Sequence, residues 1–340
     1  MKRWQKVLLS VVVIVIALLG VGITATIGWT PFFGPKARPV TDRRFEPSPA
    51  RMQRGEYLVK HVTGCLFCHS EVDPSVRGLP VKAGRVGVGR NWGSEGLPWL
   101  NVPNITPDRE TGAGSWTDDT IARAVREGIA HDGRALFPIM PYLNYHRMSD
   151  EDLASVVTYI RSLPPVRQPQ ARSEVPFPVN RFINAAPQPI EGGTAPEPDL
   201  STPEKRGEYL TTLGSCGDCH SPMDERGQFI PGMAFAGGNT FMHEGRAQKA
   251  AANITPAPNG IPYYDENLFI EVMRTGRVRE REISDLMPWI GYGGMTDDDL
   301  KAIFAYLKTL TPVDHFVDNA LPRTKCAKCK LEHGGGERNK

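Results

Sequence analysis

Residues 7–28 hold no charged side chain. As a helix those 22 residues span about 33 Å, enough for a bilayer core of about 30 Å. Trp4 and Trp29 sit at its ends, where an aromatic belt is expected. A cleaved leader usually has a shorter apolar region, and Thr24-Ala25-Thr26 is a weak cleavage match. Residues 1–34 therefore read as a transmembrane anchor. Further on, Leu153, Val156, Val157 and Ile160 recur at i, i+3, i+4 and i+7, which predicts a helix. Ser149 is its N-cap, Asp152 follows in capping-box relation, and Pro164 ends the run. Leu300, Ile303, Phe304 and Leu307 repeat the pattern behind Thr296 and Asp299, stopping before Pro312. Helices are also predicted over 49–62, over Asp118–Glu127 and over 265–274. The glycine-rich stretches 69–104 and 220–253 read as loops. The fold class is mainly α.

The similarity between the two patterned regions is a true internal repeat. Arg54-Gly55-Glu56-Tyr57-Leu58 returns as Arg206-Gly207-Glu208-Tyr209-Leu210, and Asn104-Ile105-Thr106-Pro107 as Asn253-Ile254-Thr255-Pro256. Met140-Pro141 returns as Met287-Pro288, with the offset falling only from 152 to 147 along the repeat. Each copy is long enough for a core of its own, which predicts two tandem domains, 35–163 and 201–315. Gly55 facing Tyr159, and Gly207 facing Tyr306, are the expected contacts where the first and last helices of each copy cross. Nine prolines crowd residues 164–200, giving a stiff, semi-extended linker that would limit the separation of the two copies. Phe177, Phe182 and Ile183 are expected to dock it on a domain surface. Residues 316–340 read as a flexible tail. With a net charge of +2 and well-mixed signs, nothing points to nucleic acid.

Each copy contains one Cys-x-x-Cys-His segment: Cys65-Leu66-Phe67-Cys68-His69 and, 151 positions on, Cys216-Gly217-Asp218-Cys219-His220. This spacing is the attachment signature of haem c, two thiols bonding the porphyrin and the adjacent histidine meeting the iron. Two covalent haems are therefore expected, with His69 and His220 as proximal ligands. Met140 and Met287 are the expected sixth ligands, since a following proline biases each methionine towards extended backbone and helps present its thioether. Met148 and Met295 also recur but abut a helix start and read as core; Met223 reads as packing. His/Met ligation fills both axial positions and raises the potential, which predicts electron transfer without substrate binding. His61, His131, His146, His243, His315 and His333 have no counterpart at matching positions and read as surface or supporting residues. In Cys326-Ala327-Lys328-Cys329-Lys330 a disulfide or exposed thiol pair is the expectation. A lysine-ligated third haem is an alternative. So is a metal site using His333, for which a fourth ligand is missing.

Asn104-Ile105-Thr106-Pro107, Gly112-x-Gly114-x-Trp116, Met140-Pro141-Tyr142 and the ending Tyr159-Ile160-Arg161-Ser162-Leu163-Pro164-Pro165 resemble the membrane-associated cytochrome c subunits of quinoprotein alcohol and sugar-acid dehydrogenases. The resemblance covers about residues 50–315. It implies a subunit that takes electrons from a periplasmic dehydrogenase and passes them to quinone or a terminal oxidase. That family typically carries three haem domains, against two here. The expected role is a membrane-anchored dihaem cytochrome relaying single electrons from such a dehydrogenase, or from a quinol-oxidising complex, to a respiratory acceptor. Its place is the bacterial inner membrane, single-pass, with both haem domains on the periplasmic side, where haem c is attached. The alternative is a dihaem redox enzyme of peroxidase or thiosulfate-oxidising type, which would need an open or unusually ligated iron.

Overall fold

The computed structural model describes residues 2–93, 96–225, 227–241 and 249–340. It opens with a helix, Arg3–Thr26, none of whose residues is buried, and whose most apolar stretch has a mean hydropathy of 3.0. That helix is long and apolar enough to cross a membrane.

Each repeat is then built on one helix crossing. In the first half the opening helix Pro49–Tyr57, extended by a π-turn over Leu58–Val62, packs on the closing helix Asp150–Ser162. In the second, Pro203–Leu213 packs on Asp297–Thr309. A β-carbon on Gly55 would lie 2.0 Å from the carbonyl oxygen of Ser155, and one on Gly207 would lie 1.9 Å from that of Ala302. Only glycine allows backbones so close. The middle helices are Asp118–Glu127 and Glu266–Thr275.

Capping follows the sequence pattern in one respect and departs from it in another. The hydroxyls of Ser149 and Thr296 accept from the backbone N–H of Asp152 (3.0 Å) and Asp299 (3.2 Å). The carboxylates do not return the favour as a capping box would. Asp152 instead receives Arg54 of its own opening helix, at 2.7 and 2.9 Å, and the hydroxyl of Tyr209 from the other half, at 2.8 Å. Asp299 receives Arg206 at 2.5 Å and the hydroxyl of Tyr57. An ion pair of this kind outcompetes the weak bond to a local N–H.

The two halves share one apolar core. Leu58, Val62, Leu153 and Val156 belong to the same buried cluster as Tyr209, Leu213, Leu300 and Phe304. His61 Nδ1 contacts the carbonyl of Gly291 at 3.0 Å, and the N–H of Gly78 donates to Asp285 at 2.9 Å. Direct packing, beyond any stiffness of the linker, thus sets the separation of the halves. The linker itself is strapped to the first half by polar bonds: Gln170 to the carbonyl of Val88 (3.0 Å) and the N–H of Glu174 to that of Trp99 (3.0 Å). Phe177 and Phe182 do not dock it. They are 80% and 51% exposed, on a segment lying against Thr30–Phe33 just beyond the apolar helix.

Two regions read as irregular carry regular structure. The strands Arg90–Trp92 and Leu97–Val102 pair antiparallel, because Trp92, Leu100 and Val102 form a small core of their own against Cys68 and Phe137. Thr240–Phe241 pairs likewise with Lys249–Ala250. The tail folds rather than staying flexible. Arg323–Lys325 pairs with Glu332–Gly334, and Cys326, Cys329 and His333 are 3%, 1% and 0% exposed.

Candidate cofactor-attachment sites

Each Cys-x-x-Cys-His segment forms a single helical turn, Cys65–His69 and Cys216–His220. Both turns start from a left-handed residue, Gly64 at φ 65° and Ser215 at φ 55°. In a helical turn the two cysteines stand at i and i+3 and share a face, with the histidine next to them. None of these four thiols is in a disulfide.

Both histidines are held the same way. His69 Nδ1 lies 2.9 Å from the carbonyl of Pro103, and His220 Nδ1 lies 2.7 Å from that of Ala252. A carbonyl only accepts, so Nδ1 carries the proton and Nε2 keeps its lone pair. Burial lowers both imidazole pKa values and favours that neutral form. This is the orientation an iron ligand needs.

The two carbonyls explain why the Asn-Ile-Thr-Pro segment recurs, since each stands immediately before it. Asn104 donates to the carbonyls of Val166 (2.8 Å) and Gln168 (3.2 Å), while its Oδ1 accepts from the N–H and hydroxyl of Thr106 at 2.9 and 2.8 Å. Asn253 does the same with Val313 (2.8 Å), His315 (3.0 Å) and Thr255 (3.0 and 2.7 Å). The latch fixes the strand whose carbonyl fixes the histidine. The N–H groups of Gly89 and Gly237 complete it by donating to the carbonyls of His69 (2.7 Å) and His220 (2.6 Å).

Met140 is half-buried and packs on the core that contains Leu66 and touches Cys65; Met287 is half-buried in the corresponding loop. A tyrosine five positions after each methionine ties that loop to the attachment turn. The hydroxyl of Tyr145 donates to the carbonyl of Thr63 and that of Tyr292 to Gly214 (2.6 Å). Burial pushes both phenols well above their ordinary pKa, so they stay protonated donors. The recurrence of these tyrosines at the same offset as Met-Pro was the available sequence signal, and composition alone did not reveal it.

The remaining residues fall into place around this frame. Met148 and Met295 are core, 0% and 2% exposed, and Met223 bridges to Phe229. His131 is exposed and stacks on Trp116 at 4.5 Å, while His146 contacts the carbonyl of Arg126 at 3.3 Å. His243 lies outside the described residues. His315 follows the closing helix and contacts the carbonyl of Ala236 at 2.8 Å, and His333 lies on the second strand of the tail hairpin. Paired thiols, a neighbouring imidazole with Nε2 free, and the buried Trp92 N–H, unsatisfied among the described residues beside the wall that includes Cys68, form a donor set suited to a porphyrin.

No family model matches the chain. It is 30% identical over 260 residues to a dihaem cytochrome c-type protein of Cereibacter sphaeroides, covering 74% of this chain and 83% of that one. It is 31% identical over 286 residues to the cytochrome c subunit of a quinone-dependent alcohol dehydrogenase of Komagataeibacter europaeus, covering 78% and 57% respectively. It is 30% identical over 297 residues to the cytochrome c subunit of gluconate 2-dehydrogenase of Pantoea cypripedii, covering 79% and 62%. Against the dehydrogenase subunits the chain spans little more than half of their length. Attachment motifs, repeated histidine geometry and these likenesses agree, and the chain belongs to the family of c-type cytochromes that includes dihaem cytochromes and the cytochrome c subunits of dehydrogenases.

Proposed function

We propose that this chain is a membrane-anchored dihaem cytochrome that relays single electrons from a dehydrogenase to a respiratory acceptor. Cys65 and Cys68 would hold one haem c and Cys216 and Cys219 the other, each in its own cytochrome domain, with His69 and His220 as proximal and Met140 and Met287 as distal ligands. Bound in that way, the haem supplies a one-electron couple with no free coordination position. The chain's own contribution is rigidity: Nδ1 of each histidine is pinned to a carbonyl, and each Met-Pro loop is tied to the attachment turn by a tyrosine. The repeated histidine–carbonyl contact is the observation that carries the reading.

The halves are also linked across their junction. Asn144, on the Met140 loop, donates to Ser215 (3.1 Å) and Asp218 (2.9 Å) of the second attachment turn. Such contacts favour transfer between two close, fixed centres. Related cytochrome subunits named for alcohol and gluconate oxidation make a dehydrogenase the donor we infer, without selecting its substrate. The helix Arg3–Thr26 would anchor the chain in the inner membrane with both halves on the periplasmic side. Trp29, Phe32 and Phe33 are 43%, 54% and 81% exposed, and the Trp29 ring lies 6.1 and 5.7 Å from those of Phe32 and Phe33. Exposed aromatic side chains just beyond the apolar helix suit a retained anchor at a lipid interface.

The test is spectroscopic. Purified protein should carry two haems per chain and show the weak charge-transfer band of iron–thioether bonding at the red end of the visible spectrum. Met140→Ala and Met287→Ala should each remove about half of that band. A band unaffected by either substitution, or a high-spin iron in the unsubstituted protein, would overturn the assignment.

A further inference from the structure

The C-terminal hairpin places Cys326, Cys329 and His333 around a residue outside the tail, His315, which follows the closing helix of the second half. All four are buried, none more than 3% exposed, and one ligand atom from each falls within 4.8 Å of all the others. Sequence reading found three donors and lacked the fourth; the fold supplies it from across the hairpin.

The spacing is that of a tetrahedron. With Zn–S about 2.3 Å and Zn–N about 2.0–2.1 Å, tetrahedral ligands stand about 3.3 Å apart nitrogen to nitrogen and about 3.6 Å sulfur to nitrogen. Here Nε2 of His315 and Nε2 of His333 are 3.1 Å apart, and Cys326 Sγ is 3.4 Å from Nε2 of His315.

Counting protons leads to the same conclusion. His315 Nδ1 lies 2.8 Å from the carbonyl of Ala236, and His333 Nδ1 lies 3.0 Å from that of Gly334. Neither carbonyl can donate, so both Nδ1 atoms carry hydrogen. A neutral imidazole has only one, which leaves two Nε2 lone pairs facing each other. A metal ion between the rings removes the conflict, and the two carbonyls then act as the outer contacts that orient ligating imidazoles.

We propose that His315, Cys326, Cys329 and His333 bind one zinc ion as a structural Cys2His2 site. Thiolate and imidazole donors in a closed tetrahedral set select zinc over hard cations, and with two thiolates the site is electrically neutral. The hairpin has the required turn: Lys330 sits at φ 65°, its N–H donating to the carbonyl of Cys326 at 3.0 Å. A β-carbon on Gly238 would lie 2.8 Å from Cε1 of His315, so the loop approaches the ring as closely as it can. Among the described residues the cluster has no counterpart in the first half. In the first half the latch of Asn104 holds the carbonyl of Gln168, as that of Asn253 holds His315, so glutamine occupies the corresponding place. The metal would fasten the tail to the loop around Ala236, next to Gly237, whose N–H holds the carbonyl of His220. Nothing in the assignment depends on haem.

Elemental analysis of the full chain, purified without chelator, should give one zinc per chain. Zinc-edge X-ray absorption should give two sulfurs at about 2.3 Å and two nitrogens at about 2.0 Å. A mercurial that captures thiolates should release the zinc stoichiometrically into a colorimetric chelator. His315→Gln, which copies the first half, should lose zinc while iron per chain is unchanged; if that variant fails to fold, the measurements on the unsubstituted chain stand alone. Zinc absent, with the Cys326–Cys329 peptide two hydrogen masses light under non-reducing conditions, would overturn the proposal. So would iron in place of zinc at the four ligands.

Discussion

Replacing Asn253 by alanine should destabilise the protein more than any change to an exposed asparagine, and the structure gives the size of the effect. Asn253 is 3% exposed and Thr255 fully buried. The side-chain amide makes four bonds: to the carbonyls of Val313 (2.8 Å) and His315 (3.0 Å), and from the N–H and hydroxyl of Thr255 (3.0 and 2.7 Å). Each contributes about 0.5–1.5 kcal/mol net, so the loss totals about 4 kcal/mol. That is close to three orders of magnitude in the folding equilibrium, and a large share of the 5–15 kcal/mol typical of a folded protein. The damage should also reach the site, because the freed strand carries the Ala252 carbonyl that orients His220. The measurement is urea denaturation followed by far-ultraviolet circular dichroism, with the midpoint potential of each centre recorded in parallel. Asn104→Ala should reproduce the loss in the first half, and Asn267→Ala, on an exposed residue, supplies the baseline. A cost below about 1 kcal/mol for Asn253→Ala would refute the latch. So would a potential shift confined to the first centre.

Gly207→Ala should cost about 1–3 kcal/mol through overpacking against the Ala302 carbonyl at 1.9 Å, despite alanine's better helix propensity, as read by the same urea curves. Tyr57→Phe and Tyr209→Phe should each cost about 1.5–3 kcal/mol, since each removes a hydroxyl bond to a buried carboxylate of the opposite half. Because the halves share a core, both variants should still unfold in one transition by calorimetry. Burial alone would push the Asp119 carboxyl up, but Arg38, with Thr41, holds it below the ordinary carboxylate range. A depressed folded pKa means stability that is complete above the unfolded value of about 3.9 and drains away as pH falls through the folded one. Asp119→Asn should therefore cost about 3 kcal/mol near neutrality, with the gap to the unsubstituted protein closing in acid; a gap independent of pH would contradict the pairing.

The sequence made legible whatever depends on local periodicity or on recurrence. The closing helices begin at their serine and threonine caps, the glycines at the crossings face the residues expected, and Asp118–Glu127 falls where the pattern put it. Recurrence also picked out the Asn-Ile-Thr-Pro segment, though not its purpose, because the carbonyl it positions belongs to the preceding residue. Pro103 and Ala252 share no side-chain chemistry, so identity could not mark them. Three features resisted, each for its own reason. Asp152 looked like half of a capping box until Arg54 and Tyr209 were seen to claim it. Trp92 and Leu100 gave too short a pattern to announce a hairpin. His315 looked like a lone histidine because its three companions lie further along the chain, in a hairpin whose fold the sequence did not announce.

The two carboxylates Asp152 and Asp299 show how the duplicated halves became one unit. Each receives the arginine of its own opening helix and so holds the crossing within its half. Each also accepts the tyrosine hydroxyl of the other half, two residues past the glycine at that crossing. One buried charge therefore closes a half and joins it to its neighbour, and neither task can be lost without the other. Tyr57 and Tyr209 lie on the opening helices that lead into the attachment turns, and Ser149 and Thr296, whose backbone N–H groups bond those tyrosines, lie just after the Met-Pro loops. In each half the junction thus braces both flanks of the proposed coordination site. For an electron relay this arrangement has a direct use. A centre whose ligands cannot shift reorganises little when its charge changes, and two centres fixed to one core keep a constant separation.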